Sequence, residues 1–244
     1  MRTIALLTLL GLSYSGTAAQ TVPYTARTVT VDGVADEAVW KLSEWSPLEH
    51  QMAGTVPEAS DFSGRYKLAW DEQQLYLMVE ITDDVLMDTH PDPKEAYWDD
   101  DCLEIFLDED ASGGDHLHSF NAFAYHIALD GNVADFGNAQ NDKEVILLND
   151  HLDSAWRRQT EAPYNIVWEV AVRLYPDTFT TAQPGEPVTL EADKTLGFML
   201  AYCDNDGSDT REHFMGSHSI TPVNGDKNRG YIDASVFGQL ILKK

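Results

Sequence analysis

The chain has 244 residues, with 16 Lys and Arg against 41 Asp and Glu, a formal net charge of −25 at neutral pH. A chain so acidic is repelled by nucleic-acid phosphates and by anionic membrane surfaces, which leaves neutral ligands and cations as the favoured partners. Because 43% of the residues are hydrophobic and the charges are interspersed with apolar segments, the acidity marks a solvated surface and not a disordered chain.

Met1-Arg2 precede a mostly apolar run from Ile4 to Leu12, and small residues follow up to Thr17-Ala18-Ala19. Basic, apolar and cleavage regions in that order are the layout of a secretory signal. Residues 1–19 are therefore expected to be removed on export to the periplasm or the cell exterior, leaving 20–244 as one domain. No Cys follows the apolar run, which argues against lipid attachment, and no later stretch approaches the ~20 apolar residues of a membrane span.

Strand patterns dominate the rest. One short helical turn is expected after Asp36, in Asp36-Glu37-Ala38-Val39-Trp40-Lys41-Leu42, with Asp36 as its cap. Residues 64–70 and 74–81 are rich in aromatic and β-branched side chains and flank the turn-like Asp71-Glu72, which predicts a hairpin. Further strands are predicted at 102–107, 122–128, 166–174, 196–203 and 237–242, separated by Gly, Pro, Asn and Asp clusters. The segment 176–194, with Pro184-Gly185-Glu186-Pro187, reads as a surface loop. Many short strands and little helix predict an all-β fold of two packed antiparallel sheets, an antiparallel β-sandwich. Within 102–107, Leu103, Ile105 and Leu107 share the core face, so Glu104 points away from the core. Trp40, Trp70, Trp156 and Trp168 lie in or beside apolar segments and are expected in packing roles.

Cys102 and Cys203 each fall in a predicted strand. In an exported protein they are either bridged or two separate buried thiols, and spacing alone leaves both open, since a bridge needs Cα atoms within ~7 Å. Neither belongs to a Cys-x-x-Cys, so zinc binding and thiol catalysis have little support. Asp204-Asn205-Asp206-Gly207-Ser208-Asp209 offers oxygens at alternate positions around a Gly, a spacing calcium can use, with Asp204, Asp206 and Asp209 as candidate ligands. Asp99-Asp100-Asp101 is a second candidate, and an ordinary Asp-Gly turn competes with the first.

Four segments in order carry a resemblance: Asp32 to Trp40, Ala69 to Leu77, Trp98 to Glu109 with its Leu103-Glu104-Ile105-Phe106, and a closing Phe237-Gly238-Gln239-Leu240. Together they resemble family 9 carbohydrate-binding modules, which are related to DOMON-type β-sandwiches. The resemblance implies a β-sandwich that binds glucan or xylan chain ends, or small sugars, between two aromatic rings, carries structural calcium and performs no chemistry on the sugar. It places the first ring at Trp98, six residues before Glu104, and the second at Tyr231, where the family carries tryptophan. Asn228 matches an amide that bonds sugar hydroxyls, and His126 falls near a basic contact of some members. That set suits a pyranose, whose flat faces present C–H groups to aromatic plates and whose rim presents hydroxyls to polar groups.

Three rival readings compete with it. A transition-metal site would need His116, His118 and His126 to converge. Haem binding, as in related sandwiches, would draw on His and Met ligands such as Met78, Met87, Met199 or Met215. Glycoside hydrolysis would need a carboxylate pair such as Glu104 with Asp101, which at an odd offset on one strand should face opposite ways.

Overall fold

The computed structural model describes residues 19–137, 144–159 and 163–244; apart from Ala19, the expected leader over residues 1–19 lies outside the described residues. The strands are β1 (Gln20–Pro23), β2 (Ser46–Leu48), β3 (His50–Gly54), β4 (Phe62–Trp70), β5 (Leu75–Asp83), β6 (Cys102–Asp108), β7 (Phe123–Ala128) and β8 (Val133–Phe136). They continue with β9 (Val145–Leu147), β10 (Leu152–Arg158), β11 (Ile166–Val172), β12 (Thr195–Asp204), β13 (His213–Gly216) and β14 (Gly238–Lys243). Among the described residues no helix is long and apolar enough to cross a membrane.

Two sheets face each other. One has the order β1-β14-β12-β6-β7-β8-β9, with β13 and then β3 extending from the far end of β12. The other has the order β10-β11-β5-β4-β2. The β1–β14 pair is parallel, while the central pairs of both sheets are antiparallel. The expected β-sandwich is therefore the observed fold.

Alternation builds the interior. Tyr66, Leu68 and Trp70 of β4 and Leu75, Leu77, Val79 and Ile81 of β5 meet Leu103, Ile105, Phe198 and Leu200 of the opposing sheet in one buried cluster. Each such side chain contributes about 1.5–3 kcal/mol by leaving water. The hairpin turn is held by Asp71, whose Oδ1 accepts the N–H groups of Gln73 and Gln74 at 2.8 and 2.9 Å. Trp40, Trp70 and Trp168 are buried, and Trp156 is partly buried against the core.

Each sheet also has an outer face with its own packing. On the smaller sheet, Val39 and Trp40 of the 3-10 turn Ala38–Lys41 cover Ala69, Tyr76, Met78 and Ala171. The cap of that turn differs from the expected Asp36: it is Glu37, with no side-chain cap bond, because its carboxylate accepts Thr30 N–H and Trp40 Nε1–H instead. On the larger sheet, Cys102, Phe106, Ala124, Met199 and Phe214 form an outer cluster roofed in part by Tyr231 and Phe237. Cys102 and Cys203 are direct cross-strand partners in that layer, and both thiols are free and buried.

Candidate functional site

Glu104 sits on this outer face of β6, opposite His126 of β7 and Ala201 of β12. It is only 2% exposed, yet it forms the floor of a cavity of about 240 Å³. The walls are aromatic. Trp98, 36% exposed, lines the cavity together with Tyr231 and Phe136, whose ring centroids lie 5.9 Å apart. Half-buried Asn228 and buried His126 complete the rim, so all five residues expected to touch a sugar line one cavity.

Local structure explains how these side chains reach it. Trp98 follows a turn in which Ala96 adopts φ +51°, a left-handed conformation that costs a residue with a Cβ about 1–2 kcal/mol. Tyr97 packs edge-on beneath Trp98 at 4.9 Å and against His126 at 4.7 Å, bracing the indole from behind. Tyr231 is positioned by Gly230, where an added Cβ would lie 2.6 Å from Met199 Cε and 2.8 Å from Phe106 Cε1. Buried His116 donates through Nε2 to the Gly230 carbonyl at 2.8 Å, tying the loop after β6 to the loop that bears Tyr231.

Electrostatics converge on Glu104. Its Oε1 receives Cys203 Sγ at 2.9 Å, Arg211 Nη1 at 3.1 Å and His126 Nε2 at 3.0 Å. Burial pushes the Glu104 pKa up, but the His126 and Arg211 charges and the Cys203 bond more than offset it, so the carboxyl lies below its usual range. At nearby Asp135 burial wins: it raises the pKa to about 7, although the Ala124 N–H, the His126 charge and the Phe136 N–H all pull it down.

A second cluster lies at the strand ends. Asp83 closing β5, Asp101 just before β6 and Asp204 closing β12 bring carboxylate oxygens within 4.8 Å of one another, all buried. Tyr202 donates to Asp83 Oδ2 at 2.8 Å, and Met87 and Asn205 N–H groups bond Asp101. Both oxygens of Asp204 and Oδ1 of Asp83 have no hydrogen-bond partner among the described residues. Burial first, and then the neighbouring carboxylates, raise Asp83, Asp101 and Asp204 to about 6, 8 and 9.

The expected ligand set Asp204, Asp206 and Asp209 is thus not brought together. Asp204 turns inward at the end of its strand, exposed Asp206 gathers with Asp61 and Asp84, and exposed Asp209 joins no such group. The alternation there belongs partly to a turn, since Asn205 Oδ1 accepts Gly207 and Ser208 N–H groups. Of the acidic run before β6, only Asp101 enters the cluster; Asp100 binds Thr89 and His90, and Asp99 accepts Arg211 N–H.

The rival constellations also fall apart in space. His116 braces a loop, His118 is exposed and His126 lines the cavity. Met78 lies on the smaller sheet's outer face, Met199 under Phe106 and Met215 between the sheets, while Met87 donates its N–H to Asp101. Asp101 and Glu104 belong to separate sites. Residues that sequence reasoning missed are Arg211, Tyr97, Phe136 and Cys203. Only Tyr97, adjacent to Trp98, had a local signal.

A model described as carbohydrate family 9 binding domain-like matches residues 31–244. A family 9 module from Caldicellulosiruptor kristjanssonii, solved with cellotriose, is 18% identical with a TM-score of 0.64, covering 92% of this chain and 93% of that one. The same organism's module solved with glucose is 17% identical with a TM-score of 0.63, covering 92% and 96%. At these identities the likeness speaks for the fold. Endo-1,4-beta-xylanase C of Paenibacillus barcinonensis is 25% identical over 219 residues, which is 89% of this chain but 17% of the xylanase. With a family model matched from residue 31 to residue 244, the chain belongs to the carbohydrate family 9 binding domain-like family.

Proposed function

We propose that the chain binds carbohydrate without cleaving it, taking a pyranose into the cavity with Trp98 and Tyr231 as plates and Glu104, Asn228 and His126 as hydroxyl readers. The observation that carries this reading is an aromatic-walled cavity with a buried carboxylate at its floor. C–H faces of a sugar pack on the rings, and charge-assisted bonds to Glu104 orient its rim. Glu104 is the one carboxylate lining the cavity among the described residues, whereas glycoside hydrolysis ordinarily uses two. The leader-like start supports export, where such sugars are met. Glucose and cellotriose, present in the two solved modules, are the first ligands to test, with xylotriose beside them. Calorimetry is expected to show binding to at least one, and about a tenfold or greater loss in Trp98→Ala. Folded protein that binds none of the three, or a variant that binds as wild type does, defeats the reading. Sugar release from glucan or xylan that disappears in Glu104→Gln defeats its non-catalytic part.

The reading includes structural calcium. Three buried carboxylates with orphaned oxygens suit a hard cation that takes oxygen ligands, and no cation among the described side chains pairs with Asp204. Asp83, Asp101 and Asp204 would hold the ion, which would join the ends of β5, β6 and β12 and leave the cavity chemistry to the residues above.

A further inference from the structure

We propose that Arg211 is a positioning residue for sugar recognition, holding the Glu104 carboxylate ionised and turned so that Oε2 is the oxygen offered to the cavity. The inference rests on the sugar-site reading of that cavity. Three donors share Oε1, namely His126, Arg211 and Cys203, and no described residue donates to Oε2. With one oxygen saturated and the other open, the carboxylate has one rotational state that satisfies its neighbours and one acceptor left for a hydroxyl.

Of the three donors, Arg211 alone keeps its charge at every working pH. His126 Nδ1 lies 3.0 Å from the Ala124 carbonyl, which only accepts, so Nδ1 carries the hydrogen. Nε2 then donates to Glu104 only while the ring is cationic, a charge that an imidazole can lose and a guanidinium cannot. Cys203 is a neutral donor, its thiol pKa pushed well up by burial. Facing Glu104 besides these are Cys102 on its own strand, Asp135 of β8 and Tyr97, none of which supplies positive charge.

Arg211 is itself fixed. Its guanidinium lies 4.0 Å over the Phe214 ring, Nη1 also contacts Cys203 Sγ at 3.0 Å, and its backbone N–H bonds Asp99 Oδ1 at 3.2 Å. Because Asp99 follows Trp98, one residue ties the indole loop to the carboxylate floor.

The test uses the full chain, wild type beside Arg211→Met and Arg211→Lys. The Glu104 carboxyl carbon is titrated by NMR without sugar, assigned by comparison with Glu104→Gln, and cellotriose affinity is measured from pH 5 to 8. In wild type Glu104 is expected to stay ionised throughout. Arg211→Met should move its titration up into that window and weaken cellotriose binding about tenfold at pH 5, with a smaller loss at pH 8. Arg211→Lys should restore the charge and most of the titration, and only part of the affinity. An unmoved Glu104 titration in Arg211→Met, or an equal loss of affinity at every pH, overturns the proposal. If wild type fails to bind cellotriose, the sugar reading fails for that ligand, while the sugar-free titration still decides what Arg211 does to Glu104.

Discussion

Glu104 is proposed to carry two duties: its charge answers the cations around it, and its other oxygen is the one expected to answer the ligand. Glu104→Gln keeps the shape, but it puts a neutral amide among the donors Arg211, Cys203 and His126, and offers the cavity either an N–H₂ or a weaker acceptor. Sugar affinity is expected to fall by about 1–3 kcal/mol, and folding stability by a similar about 1–3 kcal/mol because Arg211 loses its buried counter-charge. Calorimetry reads the first and thermal melting the second; loss of affinity with an unchanged melting temperature would show that the cations do not depend on the carboxylate. At this scale the sequence was informative where chemistry is local. Strand alternation was enough to turn Glu104 away from the core, and the resemblance named Trp98, Tyr231, Asn228 and His126, which share the cavity. Arg211 was invisible because its partner lies 107 positions earlier in the chain, and only the β6–β12 pairing brings the two together.

Gly230 shows how an element sets a site without touching the ligand. The loop it belongs to must pass so close to Phe106 and Met199 that no Cβ fits, and the His116 bond to its carbonyl fixes the peptide that leads into Tyr231. Gly230→Ala is expected to cost about 1–3 kcal/mol by overpacking and to move the Tyr231 ring, so sugar affinity should drop while far-UV circular dichroism stays that of the sandwich. A variant with wild-type stability and affinity would mean that the outer cluster yields easily. Strands such as β4, β5, β6, β11 and β12 were legible because alternation repeats enough times to be recognised, whereas seven-residue β10 was not, its Asp153, Ser154, Arg157 and Arg158 leaving no apolar alternation to read. The three- to five-residue strands β1, β2, β3, β8, β9 and β13 were not, since they owe their pairing to neighbours distant in sequence. The misplaced helix cap has a similar cause: Glu37 is recruited by Thr30 and Trp40, contacts that proximity to the helical run does not reveal.

For the molecule as a whole, the acidic cluster makes stability depend on pH and on cations together. Without a bound cation, Asp83, Asp101 and Asp204 titrate at about 6, 8 and 9 in the folded chain, against about 3.9 in an unfolded one. Raised carboxyl pKa values mean that the folded state holds protons the unfolded state has released, so their contribution is most favourable below about pH 4 and is lost as pH climbs towards 9. Asp135, at about 7 and outside the cluster, adds to that fall. Calcium at the proposed site is expected to reverse the cluster's part, since it would replace the protons and bind more tightly as pH rises. Thermal melting with and without chelator should therefore differ little near pH 4. At pH 8, with calcium at about 100 times its Kd, the difference should approach about 2.7 kcal/mol, or roughly 5–10 °C for a domain of this size. The Asp135 slope should persist in both conditions. Asp204→Asn separates a cation site from a merely acidic surface, because removing a carboxyl that must hold its proton in the folded chain at pH 8 should raise the melting temperature of the chelated protein at that pH while abolishing the gain from calcium. Were chelator to have the same small effect at both pH values, or calcium to stabilise Asp204→Asn as it does wild type, the three carboxylates would not be the ligands.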